Sequence, residues 1–244
     1  MPGFRLASER MAHGMDDELT ADRSTRALYR MSLLFAVLAL LSLLADLPLA
    51  SAPLDRWIPG DLHRMIGWSE LFAHGCGVAL IGLTVCVLDV ANRRRVPRLL
   101  ASAYAGGLIA NVAKLLVARV RPRYFDFDGN VLHSFLGFLP GVFPPGSQYH
   151  KGFEIQSFPS GHTATAVGLA IGLARLYPRG RWLFLFFAVL AASQRIDVRA
   201  HYLSDTVAAA SLGFLGAALV FDPRALGRWF DRFENRLGLR AAAE

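Results

Sequence analysis

Apolar stretches close to the length needed to cross a bilayer recur along this chain, and arginines collect between them rather than within them. A spanning helix takes about 20 mainly apolar residues. Backbone polar groups inside hydrocarbon must be satisfied within the structure, which leaves helices or closed barrels as the choices. Six candidate spans can be drawn, at 31–47, 69–89, 98–118, 162–177, 181–196 and 202–221. The expected fold is therefore all-α, a polytopic membrane helix bundle of about six transmembrane helices. Composition alone decides little, because 54% hydrophobic and 18% charged residues also fit a soluble domain. Three units are expected: a polar cytoplasmic tail at 1–30, the six-span unit at 31–221, and a basic amphipathic cytoplasmic tail at 222–244.

The net charge of +7 comes almost wholly from arginine, since Lys114 and Lys151 are the only lysines. A nucleic-acid partner would need a soluble basic domain, and none is left once the spans are removed. The arginines fit a positive-inside bias instead. Arg5, Arg10, Arg23, Arg26 and Arg30 precede the first span; Arg93, Arg94, Arg95 and Arg98 fill the second connection; Arg175, Arg179 and Arg181 fill the fourth; Arg224, Arg228, Arg232, Arg236 and Arg240 follow the last span. The first connection offers only Arg56 and Arg64. Both termini are thus expected in the cytoplasm, in an integral protein of the cytoplasmic membrane.

Two segments imitate other things. Residues 31–45 followed by "LASAP" resemble a secretory signal with its cleavage site, but the polar leader is about twice the usual length. The C-terminal "RALGRWFDRFENRLGLR" places Leu226, Trp229, Phe230, Phe233 and Leu237 on one helical face, as suits a helix lying on the inner membrane surface; a disordered basic tail is the alternative. Cys76 and Cys86 are ten residues apart in one apolar segment, roughly 15 Å along a helix, too far to bridge each other.

The third connection, 119–161, is the long one. It is rich in Pro and Gly and in aromatics: Tyr124, Phe125, Phe127, Phe135, Phe138, Phe143, Tyr149, Phe153 and Phe158. A loop of this length is uncommon unless it works or is disordered, and its aromatics argue against disorder. It is expected on the extracytoplasmic side between spans 3 and 4, partly in the interface.

Charge inside a span costs about 2.5–3.5 kcal/mol on insertion scales and points to function. Lys114 lies in "NVAKLLVARVRPRY", and Arg121, seven positions on, would share its helical face, with Pro122 ending the segment. Lys114 alone reads equally well as a side chain snorkelling to the interface. "PSGH" opens the fourth span with an N-cap type at Ser160 and an open backbone N–H at Gly161, an arrangement suited to anions. In "RIDVRAHYLSD", Arg195 precedes His201, and Asp205 follows one turn on, placed to accept from one imidazole nitrogen and free the other. Three cations, a helix N-terminus and two histidines, His162 and His201, thus fall on one membrane side. They suit a phosphate dianion and its transition state. No metal is expected, because the array has too few carboxylates for magnesium and too many cations for zinc.

These residues resemble the type-2 phosphatidic-acid phosphatases, which share a core with the vanadium haloperoxidases. The three parts of that family's signature are matched by "KLLVARVRP", "PSGH" and "QRIDVRAHYLSD", in order and spacing, over residues 114–205. Gln194 departs from the pattern, standing where the family usually has Ser, which bears on one hydrogen bond at the phosphate.

The resemblance implies that His201 attacks phosphorus and carries a phosphohistidine, that Asp205 orients it, and that His162 protonates the leaving oxygen and later activates water. Lys114, Arg121, Ser160, Gly161 and Arg195 would bind the phosphoryl oxygens. No cofactor is implied. The partner implied is a lipid phosphate in the membrane, phosphomonoester or pyrophosphate, hydrolysed without metal at the outer face. Alternatives are a lipid phosphotransferase using the same intermediate and a catalytically silent lipid-binding or transport homologue.

Overall fold

The computed structural model describes residues 2–52, 58–127, 129–140, 142 and 152–241, with side chains described between positions 22 and 238. Phe143, Tyr149, Lys151 and Arg56, and the side chains of Arg5, Arg10 and Arg240, lie outside what is described. Nine helices are present among the described residues: α1 (Pro2–Ser51), α2 (Gly60–Trp68), α3 (Glu70–Ala73), α4 (Gly75–Leu88), α5 (Val96–Leu116), α6 (Gly161–Leu176), α7 (Arg181–Asp197), α8 (Leu203–Phe221) and α9 (Gly227–Ala241). The fold is mostly helical, as expected, with one addition. After α5 the chain extends as β1 (Val117–Arg119) and pairs antiparallel with β2 (Phe135–Phe138). β-Branched Val117 and the aromatic ends of "FLGF" favour such a ribbon.

Among the described residues, three stretches are long and apolar enough to cross a membrane: Asp22–Ser51 in α1, Arg93–Leu116 ending with α5, and Leu203–Phe221 in α8. A fourth is obtained if Gly60–Ala73 and Gly75–Leu88, which meet at a bend of 74°, count as one span. The expected second span is thus broken at His74, which has an extended conformation between two helical segments. The expected fourth and fifth spans are helices, but α6 has 16 residues and α7 has 17. At 1.5 Å per residue they reach about 24–26 Å, short of a hydrocarbon core of about 30 Å.

α8 is the centre of the bundle, in contact with α1, α5 and α6, while α6 also packs on α5 and α7. Small residues allow this. A Cβ on Gly216 would lie 2.4 Å from the backbone N of Gly106, and one on Gly106 would lie 2.8 Å from the Cα of Gly213. α5 and α8 therefore cross backbone against backbone, the contact that small residues permit in membranes. On the outside, α1 exposes Leu33, Leu40, Leu41 and Leu44, and α4 exposes Leu80, Leu83 and Leu88. Such a surface is stable in lipid and would be a liability in water.

The opposite end of the bundle gathers arginines. Arg98 pairs with Asp231 at 2.5 Å and Glu234 at 2.7 Å on α9, and its guanidinium lies 5.5 Å from the Phe230 ring. Arg175 donates to Ser24 of α1. α9 thus forms the helix read from its apolar face and is tied down by side-chain ion pairs. We predict that Gly216→Leu, which has no room at the α5/α8 crossing, lowers the thermal midpoint in detergent by an amount equivalent to about 3 kcal/mol or more. Gly60→Ala, whose Cβ meets nothing within 4 Å, leaves the midpoint unchanged in the same measurement.

Candidate active site

The C-terminal end of α5, the N-terminal ends of α6 and α8 and the described parts of the connection 119–161 meet at one place. α6 begins at Gly161, and Ser160 caps it by accepting from the Thr163 backbone N–H at 3.4 Å. Ser160 is fully buried, and its own N–H donates to the Asp205 carbonyl at 3.2 Å. A Cβ on Gly161 would lie 3.1 Å from Asn111 Oδ1 and 3.7 Å from Lys114 Nζ. The Lys114 ammonium therefore reaches the open N-terminus of α6, where partial positive charge already collects. Lys114, Gly161 and His162 share a cavity of about 620 Å³ with Asn111, His74 and Tyr104.

Arg121 is reached differently from the sequence expectation. α5 ends at Leu116, so Arg121 is not two turns further along the same helix but lies beyond β1 in extended backbone. There it donates through Nε to the Phe153 carbonyl at 2.6 Å and through Nη2 to the Gln156 carbonyl at 3.4 Å. Burial, then the cations Arg123 and Arg195, hold its pKa below the ordinary guanidinium value. Arg195 donates from Nε to Gln194 Oε1 at 2.5 Å and pairs through Nη2 with Glu70 at 2.9 Å.

His201 and Asp205 also differ from the expected pair. α8 starts at Leu203, so His201 precedes the helix, and its Nδ1 lies 3.8 Å from the Asp205 carboxylate, beyond a hydrogen bond. Its partner is the Ser157 carbonyl, 2.5 Å from Nδ1. A carbonyl only accepts, so Nδ1 carries the hydrogen and the neutral ring keeps a lone pair on Nε2. Burial first, then the Arg121 and Lys114 cations, push the His201 pKa well below its ordinary value, so the ring is neutral at pH 7. Asp205 acts one step behind: its Oδ2 accepts from Ser157 Oγ at 2.5 Å and from the Tyr202 N–H at 2.9 Å. Ser157 thus holds Asp205 with its hydroxyl and His201 with its carbonyl.

Behind this pair stands a residue the sequence reading passed over. Arg119 is completely buried and pairs with Asp205 at 2.5 Å and with Asp46 of α1 at 2.6 Å. It also donates to Ser134 at 3.0 Å and Ser204 at 2.7 Å. Its guanidinium lies between two rings, 4.3 Å from Phe135 and 4.1 Å from Tyr202. Asp46 in turn accepts from the Ser204 N–H at 2.8 Å and from Ser204 Oγ at 2.5 Å, at the start of α8. An aspartate inside "LLADLPLA" was the available signal, since charge in a span calls for a partner. Glu70, at the start of the expected span 69–89, carried the same signal, and Ser157 carried none.

Among the described residues, no three His, Cys, Asp or Glu side chains form a group that could hold a metal ion.

Residues 96–224 match the PAP2 superfamily, more than half of the chain, and the protein belongs to that superfamily. Two curated relatives are similar over 107 residues. A lipid A 1-phosphatase of Rhizobium johnstonii is 36% identical over 44% of this chain and 38% of its own length. A lipid A 1-phosphatase of Rhizobium etli is 36% identical over 44% of this chain and 40% of its own length. The match thus spans about two fifths of those relatives. No solved structure matches.

Removing one partner of a buried ion pair leaves an uncompensated charge, at a cost of about 3–5 kcal/mol. Arg119→Ala and Asp46→Ala are each expected to destabilise the protein by that order in denaturation from detergent. The double variant should fall short of the sum, because the second truncation removes a charge already stranded.

Proposed function

We propose that this protein is a metal-independent phosphatase of lipid phosphates, working through a phosphohistidine at the outer face of the cytoplasmic membrane. The observation that carries the reading is the fixed tautomer of His201: Nδ1–H is held by the Ser157 carbonyl, and Nε2 is left as the nucleophile. In the proposed first step Nε2 bonds to phosphorus, the P–O bond of the ester breaks, and His162 gives its proton to the departing oxygen. In the second, water attacks the phosphohistidine, His162 takes a proton from it, and the N–P electron pair returns to His201. Lys114, Arg121, Arg195, Ser160 and the Gly161 N–H hold the phosphoryl oxygens through both steps, and Asp205 steadies His201 through Ser157. Preorganised cations and N–H donors supply transition-state stabilisation without a metal.

The orientation is supported by the arginine-rich end of the bundle, where Arg98, Arg175 and the α9 arginines gather away from the site. The two rhizobial relatives make the phosphate of a lipid A-type molecule the first substrate to test, ahead of phosphatidic acid, phosphatidylglycerol phosphate and undecaprenyl pyrophosphate. Purified protein given that panel in micelles should release inorganic phosphate from at least one lipid; release from none would overturn the reading. His201→Ala and His162→Ala are each expected to cut turnover at least about 100-fold while the protein still inserts, and full activity in His201→Ala would remove the intermediate from the mechanism. EDTA should leave the rate nearly unchanged; activity lost to the chelator and restored only by added metal would count against a site of cations alone.

A further inference from the structure

The broken second span carries a carboxylate into the site. α3 is four residues long, set between Ser69 and the bend at His74, and its first residue is Glu70. The helix is seated by Phe72 and Ala73, both buried in the core cluster with Leu169 and Leu173 of α6 and Ala188 and Ala191 of α7. Glu70 Oε1 forms an ion pair with Arg195 Nη2 at 2.9 Å and lies 3.8 Å from His162 Nε2. Glu70 Oε2 accepts from Gln194 Nε2 at 3.3 Å, and Gln194 Oε1 accepts from Arg195 Nε at 2.5 Å. Glu70, Gln194 and Arg195 thus close a ring of side chains beside His162.

The charged and titratable groups facing His162 are Arg195 from α7, Lys114 from α5, His74 at the bend and Glu70 from α3. The His74 ring centroid lies 6.0 Å from that of His162, and its Nδ1 accepts from the Cys76 N–H; an imidazole offers no negative charge. Among the described residues in this group only Glu70 is acidic. A general acid standing between two cations loses its proton more readily, and a carboxylate at this distance opposes that loss.

We infer that Glu70 is the positioning carboxylate of His162: it sets the imidazole on the leaving-group side and keeps the proton there until the ester oxygen departs. The inference rests on the phosphatase reading above. Glu70 does not exchange protons in the cycle. His162 gives its proton to the leaving oxygen as the ester P–O bond breaks and regains one from water as the N–P bond is hydrolysed. The same ring accounts for Gln194 at the position usually held by Ser. Its amide spans from Arg195 to Glu70, a reach that a serine hydroxyl lacks.

The test compares two leaving groups on the full-length purified protein. Lipid A carrying its 1-phosphate leaves as a poorly stabilised sugar oxygen that needs protonation. 4-Nitrophenyl phosphate leaves as a stabilised phenolate that needs little. Glu70→Gln is expected to lower kcat on the lipid at least about 30-fold, a fraction of what a general acid contributes, with KM within about threefold. On the aryl phosphate kcat should fall less than about threefold, and Glu70→Asp should recover part of the lipid activity. Equal losses on the two substrates, complete loss on both included, or no loss on the lipid would overturn the inference and assign Glu70 to holding Arg195 or the fold. Should another lipid of the panel above be the one hydrolysed, it takes the place of lipid A; wild-type protein that releases phosphate from no lipid of that panel would strike the phosphatase reading itself, so the two failures are distinguishable.

Discussion

A single buried guanidinium holds the site together. Arg119 reaches no water, and two carboxylates, two hydroxyls and two aromatic faces stand in for it. Burying three charges is favourable only when the geometry satisfies nearly every donor and acceptor, and otherwise the desolvation penalty wins. That condition ties together elements far apart in sequence: α1 through Asp46, the ribbon through Arg119 itself, and α8 through Ser204 and Asp205. His201 takes its place from this cluster at second hand. Asp205, fixed by Arg119, holds the Ser157 hydroxyl, and the Ser157 carbonyl holds the imidazole.

Charge is sorted by depth around the proposed phosphate seat. Lys114, Arg121 and Arg195 approach from three elements, and the N-terminus of α6 adds its dipole. The carboxylates stand behind a neutral group or a cation: Asp205 behind Ser157, Asp46 behind Arg119. Had Asp205 met His201 directly, it would have favoured the charged imidazolium. With a neutral carbonyl as partner and cations nearby, the ring stays uncharged, as its proposed role as nucleophile requires. Glu70 is the exception, a carboxylate at the rim, beside the one histidine whose proposed task requires a proton.

Much of this could be read from the sequence, and the unread part has a common cause. The three long helices announce themselves by apolar length: α1, α5 and α8 each satisfy their own backbone across a span. Ser160 as a cap and Gly161 as an open N–H follow from local rules and were legible from four letters. The break at His74 was not, since summed hydropathy over 69–89 is blind to one extended residue between helical segments. Arg121 was assigned to the α5 helix because Lys114 and Arg121 have helical spacing, whereas Val117 to Arg119 leave the helix for a strand. Arg119 and Asp46 are 73 positions apart, and Arg119 and Asp205 are 86 apart. No local pattern records such pairings, which exist only once the helices have packed.

The glycine crossing of α5 and α8 has a mechanical meaning beyond close packing. Lys114 stands eight residues past Gly106 on one helix, and Asp205 stands eight residues before Gly213 on the other. The crossing is thus a fulcrum with two arms of about 12 Å, one bearing the proposed phosphate cation and the other the support of the proposed nucleophile. A rotation of about 5° there would move Lys114 by roughly 1 Å, a displacement that can cost on the order of 100-fold in rate. Backbone pressed on backbone leaves little play for such a rotation. The calibration of the site is therefore set near the middle of both helices, by residues that have no side chains.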